Sequence, residues 1–344
     1  MLERDNPAVF LGAWLDACCL WRMYMPHLHY TGSSFYIFAQ KPDWDVIAGK
    51  DVVVVQRCCT QPQFDFLKTA GALGMRIVYD LDDNVWELPE YNPAARVLNM
   101  HREGFNACIR MVDVVSVSTR TLAKALRKHV KFMINMRTHK EIPIVVTENR
   151  IAECMFVDPI RKPEVVIGWS GSSSHIGDFV VVEEALAKVA TDYPQVRVEF
   201  RGCEPPMESP IGKLKNYRHK LWSPVAEFGG RLPIWGWSIA LAPVTDHEFN
   251  SSKSAIKMVE AAYCKIPCLA SWVQPYVEFC GWDKELMWLL CPGASAWESK
   301  LRTLINEPAM RDELGERMYR VVQEHYSWNR PHEGWDEVFR LARQ

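Results

Sequence analysis

The chain has 344 residues, 48% of them hydrophobic and 24% charged, with a formal net charge of −2. That composition excludes a disordered or fibrous chain, and the near-neutral balance excludes a protein whose overall field gathers nucleic acid or membrane. A length of this order favours two domains over one. The eleven cysteines include the vicinal pairs Cys18–Cys19 and Cys58–Cys59 but no C-x-x-C, so no zinc motif is expected. Free thiols, a charged opening segment and the lack of any apolar run of about 18 residues predict a cytoplasmic protein without a membrane span.

Taken in chain order, short β-branched runs alternate with longer helical stretches. Residues 51–56 (Asp-Val-Val-Val-Val-Gln) read as a strand buried on both faces. Phe64 to Leu73 reads as a helix closed by Gly74, and Met75 to Tyr79 as the next strand, ending in Asp80-Leu-Asp-Asp-Asn84. A strand at 112–117, a helix from Ser118-Thr119 through Lys128 and a strand at 144–147 follow. The prolines and missing period of 156–163 predict a linker between a first domain (1–155) and a second (164–315), with C-terminal helices at 316–344. The second series has strands at 165–168, 196–200, 239–242 and 266–270, with helices from Val180 to Ala190 and from Lys253 to Cys264. Two consecutive βα series predict an α/β protein of two doubly wound, parallel-sheet, Rossmann-like domains facing a cleft, where ligands bind beyond the carboxyl ends of the strands.

Four constellations carry chemistry. The first is Phe249-Asn-Ser-Ser-Lys-Ser-Ala-Ile-Lys-Met-Val-Glu260. On a helix, Lys253, Lys257 and Glu260 share one narrow stripe, and Ile256, Val259 and Tyr263 lie opposite. Two ammoniums near a helix N-terminus oppose its dipole, which a bound polyanion would explain, and Glu260 one turn deeper suits vicinal ribose hydroxyls. The plain alternative is a solvated charge face. The second is Gly168-Trp-Ser-Gly171-Ser172-Ser173-Ser-His175-Ile-Gly-Asp178, a small-residue loop whose N–H groups suit an anion, although it is neither G-x-G-x-x-G nor a Walker loop. His175 there either touches a phosphate or packs, and Asp178 suits an N-cap.

The third is Asp80-Leu-Asp82-Asp83, which suits either acceptor hydroxyls or a divalent metal; an Asp-rich turn is the plain alternative. The fourth is a stretch with no acidic residue between Asp113 and Glu141 that holds Arg120, Lys124, Arg127, Lys128, Lys131, Arg137 and Lys140. It is either a solvated face or a docking surface for DNA or anionic lipid.

These residues resemble the GT-B glycosyltransferases of the large group 1 (GT4-like) class. The likeness rests on Ile167 to Asp178, Leu241-Ala-Pro243, Phe249-Asn250, Lys253 to Glu260 and Ile266-Pro-Cys-Leu-Ala-Ser271. Val78 to Asp83, Val115 to Thr119 and Asn149 resemble the first domain of bacterial and phage members, and Tyr326-Ser-Trp328 the tail that crosses back onto it. The resemblance implies a nucleotide-sugar donor held by the second domain, an acceptor held by the first, retaining transfer and no obligatory metal cofactor. It matches Glu260 to the ribose-binding glutamate of an E-x7-E pair. The first glutamate falls at Ser252, so its contact to the donor sugar is either missing or comes from Asn250 or Glu248. Lys253 and Lys257, assisted by Arg201, Ser254 and the loop Gly171 to His175, are expected to face the diphosphate, Asp82 or Asp83 the acceptor proton, and Asp80, Arg120, Lys124 and Arg127 the acceptor. Three rivals stand beside this reading: a metal-dependent D-x-D sugar transferase, a non-catalytic polyanion binder on a degenerate transferase fold, and, as a minor option, a phosphorylase of the same architecture, whose cofactor lysine motif is not seen in the sequence.

Overall fold

The computed structural model describes residues 4–5, 8–38, 44–47 and 49–344. Two six-stranded sheets, every pair in them parallel, frame two lobes. The first sheet comprises β1 (Ala8–Gly12), β2 (Ser34–Ile37), β3 (Val52–Gln56), β4 (Arg76–Leu81), β5 (Val114–Val117) and β6 (Ile144–Val146), in the order β2-β1-β3-β4-β5-β6. The second comprises β7 (Val166–Gly171), β8 (Arg197–Gly202), β9 (Tyr217–Lys220), β10 (Ile239–Ala242), β11 (Cys268–Ser271) and β12 (Leu290–Cys291), in the order β9-β8-β7-β10-β11-β12. Val52 to Val55 are wholly buried, as unbroken β-branched runs must be when helices cover both faces. The sequence expectation of two doubly wound sheets is met.

Six helices position the site. Residues 17–29 form one helical segment, α1, whose middle, Leu20–Tyr24, is π-helical. The helix α2 (Gln61–Ala72) starts three residues before the expected Phe64, because Gln63 reaches back to the Thr60 N–H at 3.0 Å and makes a capping box. The helix α3 (Arg120–His129) is capped by Thr119, whose hydroxyl accepts from the Leu122 N–H. In the second lobe, Ser173–Val181 is a 3-10 helix and α4 (Glu183–Asp192) begins only after it, later than the expected Val180. The helix α5 spans Ile256–Tyr263.

Residues 156–163 carry the chain between lobes without regular structure. The helix α6 (Pro308–His325) still packs on α5, and the chain recrosses only after it. There Ile151 donates to the Tyr326 carbonyl (2.7 Å) and Trp328 donates to the Ile151 carbonyl (3.0 Å). The last helix, α7 (Glu333–Ala342), lies on β4, β5 and β6, with Trp335 and Phe339 edge-on to Phe10. All eleven cysteines are free, and among the described residues no helix is long and apolar enough to cross a membrane.

Candidate functional site

In each sheet the strand order reverses beside its first strand, the point beyond whose carboxyl ends doubly wound sheets place their ligand crevice. The loops after β1, β3 and β4 bring Asp16, Cys18, Arg57, Asp82 and Asp83 to that edge. The loops after β7 and β10 bring Ser172 to His175 and Thr245 to Lys253. Hydrogen bonds join the two edges directly. Tyr91 reaches from the first lobe to Asp178 (2.8 Å), Thr119 donates to the Ser252 carbonyl (2.8 Å), and Asn149 donates to the Ser254 hydroxyl (2.8 Å).

Asp178 is the hub of the second lobe. It is buried and accepts from the Thr245 N–H (2.9 Å), the Thr245 hydroxyl (3.0 Å), Asn250 Nδ2 (3.0 Å) and Tyr91, while its other oxygen meets His175 Nδ1 at 2.8 Å. Burial alone would raise this carboxyl, but the bonds from His175, the Thr245 N–H and Tyr91 outweigh it and hold it below the ordinary value. Asp178 therefore does not cap a helix, as the sequence suggests; it sits inside the 3-10 stretch and fixes three loops. Burial, then the Lys253 ammonium, pushes His175 down to about 4, so its ring is neutral at pH 7. With Nδ1–H donated to Asp178, the Nε2 lone pair faces Lys253 Nζ at 3.5 Å. Gly171 is packed against the Trp169 indole, Ser172 and Ser173 are exposed, and the Ser172 hydroxyl meets that of Ser174 at 2.7 Å.

Lys253, Lys257 and Glu260 do not share the expected helical stripe. The helix Glu248–Ser251 ends in a turn in which the Ser252 hydroxyl returns to the Glu248 carbonyl, and α5 starts at Ile256. Lys253 therefore precedes α5. Its ammonium lies 4.5 Å from the Phe249 ring centroid, beside His175, and acts on Asp83 across the crevice. Lys257 turns the other way, to Glu260 at 3.7 Å. Glu260 is buried rather than aimed outward. Burial lifts its carboxyl above the ordinary range, and Lys257 with the nearby Trp21 indole of the first lobe draws it part-way back.

On the first lobe, Asp82 is buried and its Oδ1 has no hydrogen-bond partner; the Arg57 Nε is 3.8 Å away. Burial and then the Asp82 charge raise Asp83 to about 6, against the pull of Lys253 and Arg57. Arg57 holds a left-handed backbone (φ 49°) and also pairs with Asp16 at 2.8 Å. One ligand atom each from Cys18, Asp82 and Asp83 lies within 4.8 Å of the others, a donor set of the kind a divalent ion takes.

Two expected site residues are elsewhere. Asp80 is wholly buried, and both its oxygens are held by Arg22, at 3.0 and 2.6 Å, with Ser116 at 2.7 Å. Arg22 also donates to Asn149 Oδ1 (3.0 Å) and to the Thr147 carbonyl. Asp80 is thus part of the core of the first lobe and faces no acceptor. Arg201 lies over the Trp235 ring at 4.5 Å with its Nε on Glu199 at 2.8 Å, which engages its guanidinium within the second lobe. Arg120, Lys124 and Arg127 lie on the exposed side of α3.

Sequence reasoning missed Arg22, Arg57 and Tyr91. Arg22 had one signal, a lone charge within Leu20-Trp-Arg-Met23. Arg57 had another, its place directly after a buried strand at the carboxyl edge. Tyr91 had none, since it sits in an irregular stretch between Pro89 and Pro93.

No protein-family model matches the chain, and no curated protein matches it. Solved structures do match over most of its length. HepE of Anabaena, in complex with UDP-glucose, aligns with TM-score 0.66 and 13% identity over 97% of this chain and 99% of that one. The sucrose-phosphate synthase of Thermosynechococcus elongatus aligns with TM-score 0.65 and 11% identity over 97% and 98%. A pneumococcal O-GlcNAc transferase, GtfA, in complex with UDP and GlcNAc, aligns with TM-score 0.56 and 14% identity over 85% of this chain and 57% of that one. These neighbours are GT-B proteins, and the likeness shows that the two lobes described above form a GT-B fold.

Proposed function

We propose that this chain is a glycosyltransferase of the group 1 type, moving a sugar from a UDP-sugar to an acceptor hydroxyl. The observation that carries the reading is the Lys253 ammonium, 3.5 Å from the His175 ring in the second lobe and pulling electrostatically on Asp83 of the first. The UDP complexes of HepE and GtfA, which share the fold, support the choice of donor.

In this reading the bond from the anomeric carbon to the β-phosphate oxygen breaks, and its electron pair stays on the leaving diphosphate. Lys253 and the N–H groups of the loop at 171–175 face the growing charge, where fixed donors stabilise the transition state more than the ground state. His175, neutral and held by Asp178, orients Lys253. Lys257 and Glu260 take the nucleoside end, with the carboxylate accepting from ribose hydroxyls. The acceptor oxygen forms the new bond and gives its proton to Asp83, whose raised pKa near 6 suits a base close to neutral pH. The acceptor is a polyanion, either a hydroxylated DNA base or an anionic lipid-linked sugar. Transfer proceeds with retention and without a metal cofactor.

Calorimetry with UDP and turnover with a panel of UDP-, GDP- and TDP-sugars test the reading. Lys253→Ala is expected to lower turnover at least a hundredfold at unchanged fold, and Glu260→Ala to weaken UDP binding about tenfold. No heat with UDP, or full turnover by Lys253→Ala, would refute it. Proton NMR of the product anomer checks retention.

The Cys18–Asp82–Asp83 donor set favours one second reading, transfer assisted by a divalent metal. Turnover abolished by chelator and restored by manganese would favour it; turnover indifferent to chelator excludes it.

A further inference from the structure

The segment after α3 exposes what an ordinary surface hides. Residues 131–141 form a hairpin closed by an antiparallel bridge between Ile134 and Glu141. Asn135 anchors it from within: its Nδ2 donates to the Val112 carbonyl (2.8 Å), and its Oδ1 accepts from the Arg137 N–H (2.7 Å). Met133 packs inward on the first-lobe core. The three apolar residues between and beside them point out: Phe132 is 75% exposed, Ile134 42% and Met136 49%. Phe132 holds a left-handed backbone (φ 59°), a region that bulky side chains rarely adopt. The hairpin is therefore fixed with its apolar face toward water.

That face continues a positive one. At 100° per residue, Arg120, Lys124 and Arg127 fall within an arc of about 60° on α3, opposite the buried Leu122 and Leu126. Lys131 follows directly, next to Phe132. Lys128 is engaged with Glu248 (3.1 Å) and Glu87 (3.6 Å), and Arg137 with Asp113 (2.8 Å). Arg120, Lys124, Arg127, Lys131 and Lys140 have no ion-pair partner among the described residues. The one acidic side chain on the hairpin is Glu141, at its end.

We infer that α3 and the 131–141 hairpin dock this protein on the surface of an anionic lipid bilayer. Cations worth about 1 kcal/mol each beside anionic headgroups draw the stripe down, and Phe132, Ile134 and Met136 enter the boundary between headgroups and acyl chains. The apolar trio decides against nucleic acid: phosphates would use the cations, but only Phe132 could stack on a base, and Ile134 and Met136 would stay in water. The inference goes beyond the proposed reaction, since it concerns where the protein sits and stands on a surface outside the crevice.

The test is co-sedimentation of the full chain with vesicles of phosphatidylcholine alone and with about 30% phosphatidylglycerol, at low and high salt. Binding to the anionic vesicles only, weakened by salt, is expected. Lys124→Gln with Arg127→Gln should lower the partition coefficient about thirtyfold, two charges' worth. Phe132→Ser with Met136→Ser should abolish the residual binding at high salt. All four positions are exposed, so thermal unfolding should be unchanged; if the serine pair does unfold, Ile134→Ser repeats that arm. Equal or absent binding to the two vesicle types overturns the inference. So does duplex DNA binding without vesicle binding, or self-association that Phe132→Ser removes. No donor or turnover enters these measurements, so a negative result leaves the proposed reaction standing, and an inactive enzyme leaves this inference standing.

Discussion

The Tyr91 hydroxyl, carried on the first lobe, lies 2.8 Å from the Asp178 carboxylate at the centre of the second. It also meets the Thr245 hydroxyl at 2.9 Å, and its ring covers Gly177 so closely that a β-carbon there would overlap it. One side chain thereby joins the two walls of the crevice. Tyr91→Phe keeps the ring and removes the bond. The expected loss is about 1–2 kcal/mol in urea unfolding, with a rise in the KM for donor as the closed form becomes less populated. Unchanged stability and KM would show that Tyr91 does not latch the lobes.

Arg22 and Asp80 form the second load on the first lobe. Both are buried, and among the described residues each is the other's only countercharge in contact. Asp80→Ala leaves the guanidinium uncompensated and should cost about 3–5 kcal/mol, whereas Arg22→Met with Asp80→Leu should recover much of that loss. Denaturant titration of the single and double variants measures both. A single variant within about 1 kcal/mol of wild type would disprove the assignment of Asp80 to the core.

Asp83 and His175 have opposite pH signatures. The folded Asp83 keeps its proton to about pH 6, while the unfolded chain releases it near 3.8. Its contribution to stability is present at acid pH and lost as pH rises through 6. His175 is neutral in the fold down to about 4, while the unfolded imidazole gains its proton near 6.5, so its contribution falls as pH drops through that window. Asp83→Asn should therefore gain stability over wild type between pH 4 and pH 7, by up to about 3 kcal/mol. The same substitution should lower turnover, and what remains should lack the acid limb near pH 6. Parallel melting curves against pH check the first, and a pH–rate profile the second.

Gly168 is a glycine whose place is set by packing. It lies in β7, paired with Glu199 on one side and Ala240 on the other, and a β-carbon would sit inside the Trp237 indole. Gly168→Ala should cost about 1–3 kcal/mol through overpacking, and Trp237→Leu in the same chain should relieve part of it. A double-mutant cycle in urea reads the coupling; additive losses would mean that the indole is not the obstacle.

The parallel sheets were legible because their strands are continuous apolar runs such as Val52 to Val55, which need no partner to be recognised. The placement of Lys253, His175 and Asp83 at the carboxyl edges of the sheets was legible, since each lies in the segment that follows a strand. What escaped was long-range pairing. Nothing local marks Asp80 as the partner of an arginine 58 positions earlier, or Tyr91 as the partner of Asp178. The placement of Lys253 on a helix failed for a local reason: the spacing of Lys253, Lys257 and Glu260 fits one helical stripe, but side-chain bonding by Ser252 and the turn after Asn250 stop the chain from propagating the helix.

The polypeptide passes between the lobes twice, and at Ile151 the outgoing and returning strands are stitched by two backbone hydrogen bonds. A single tether would let the halves swivel freely. A doubled, bonded seam restricts rotation of one lobe on the other to its own line. For the proposed reaction, the consequence is that the position of Lys253 relative to Asp83 is set by the spine of the molecule rather than by whatever lies between its lobes.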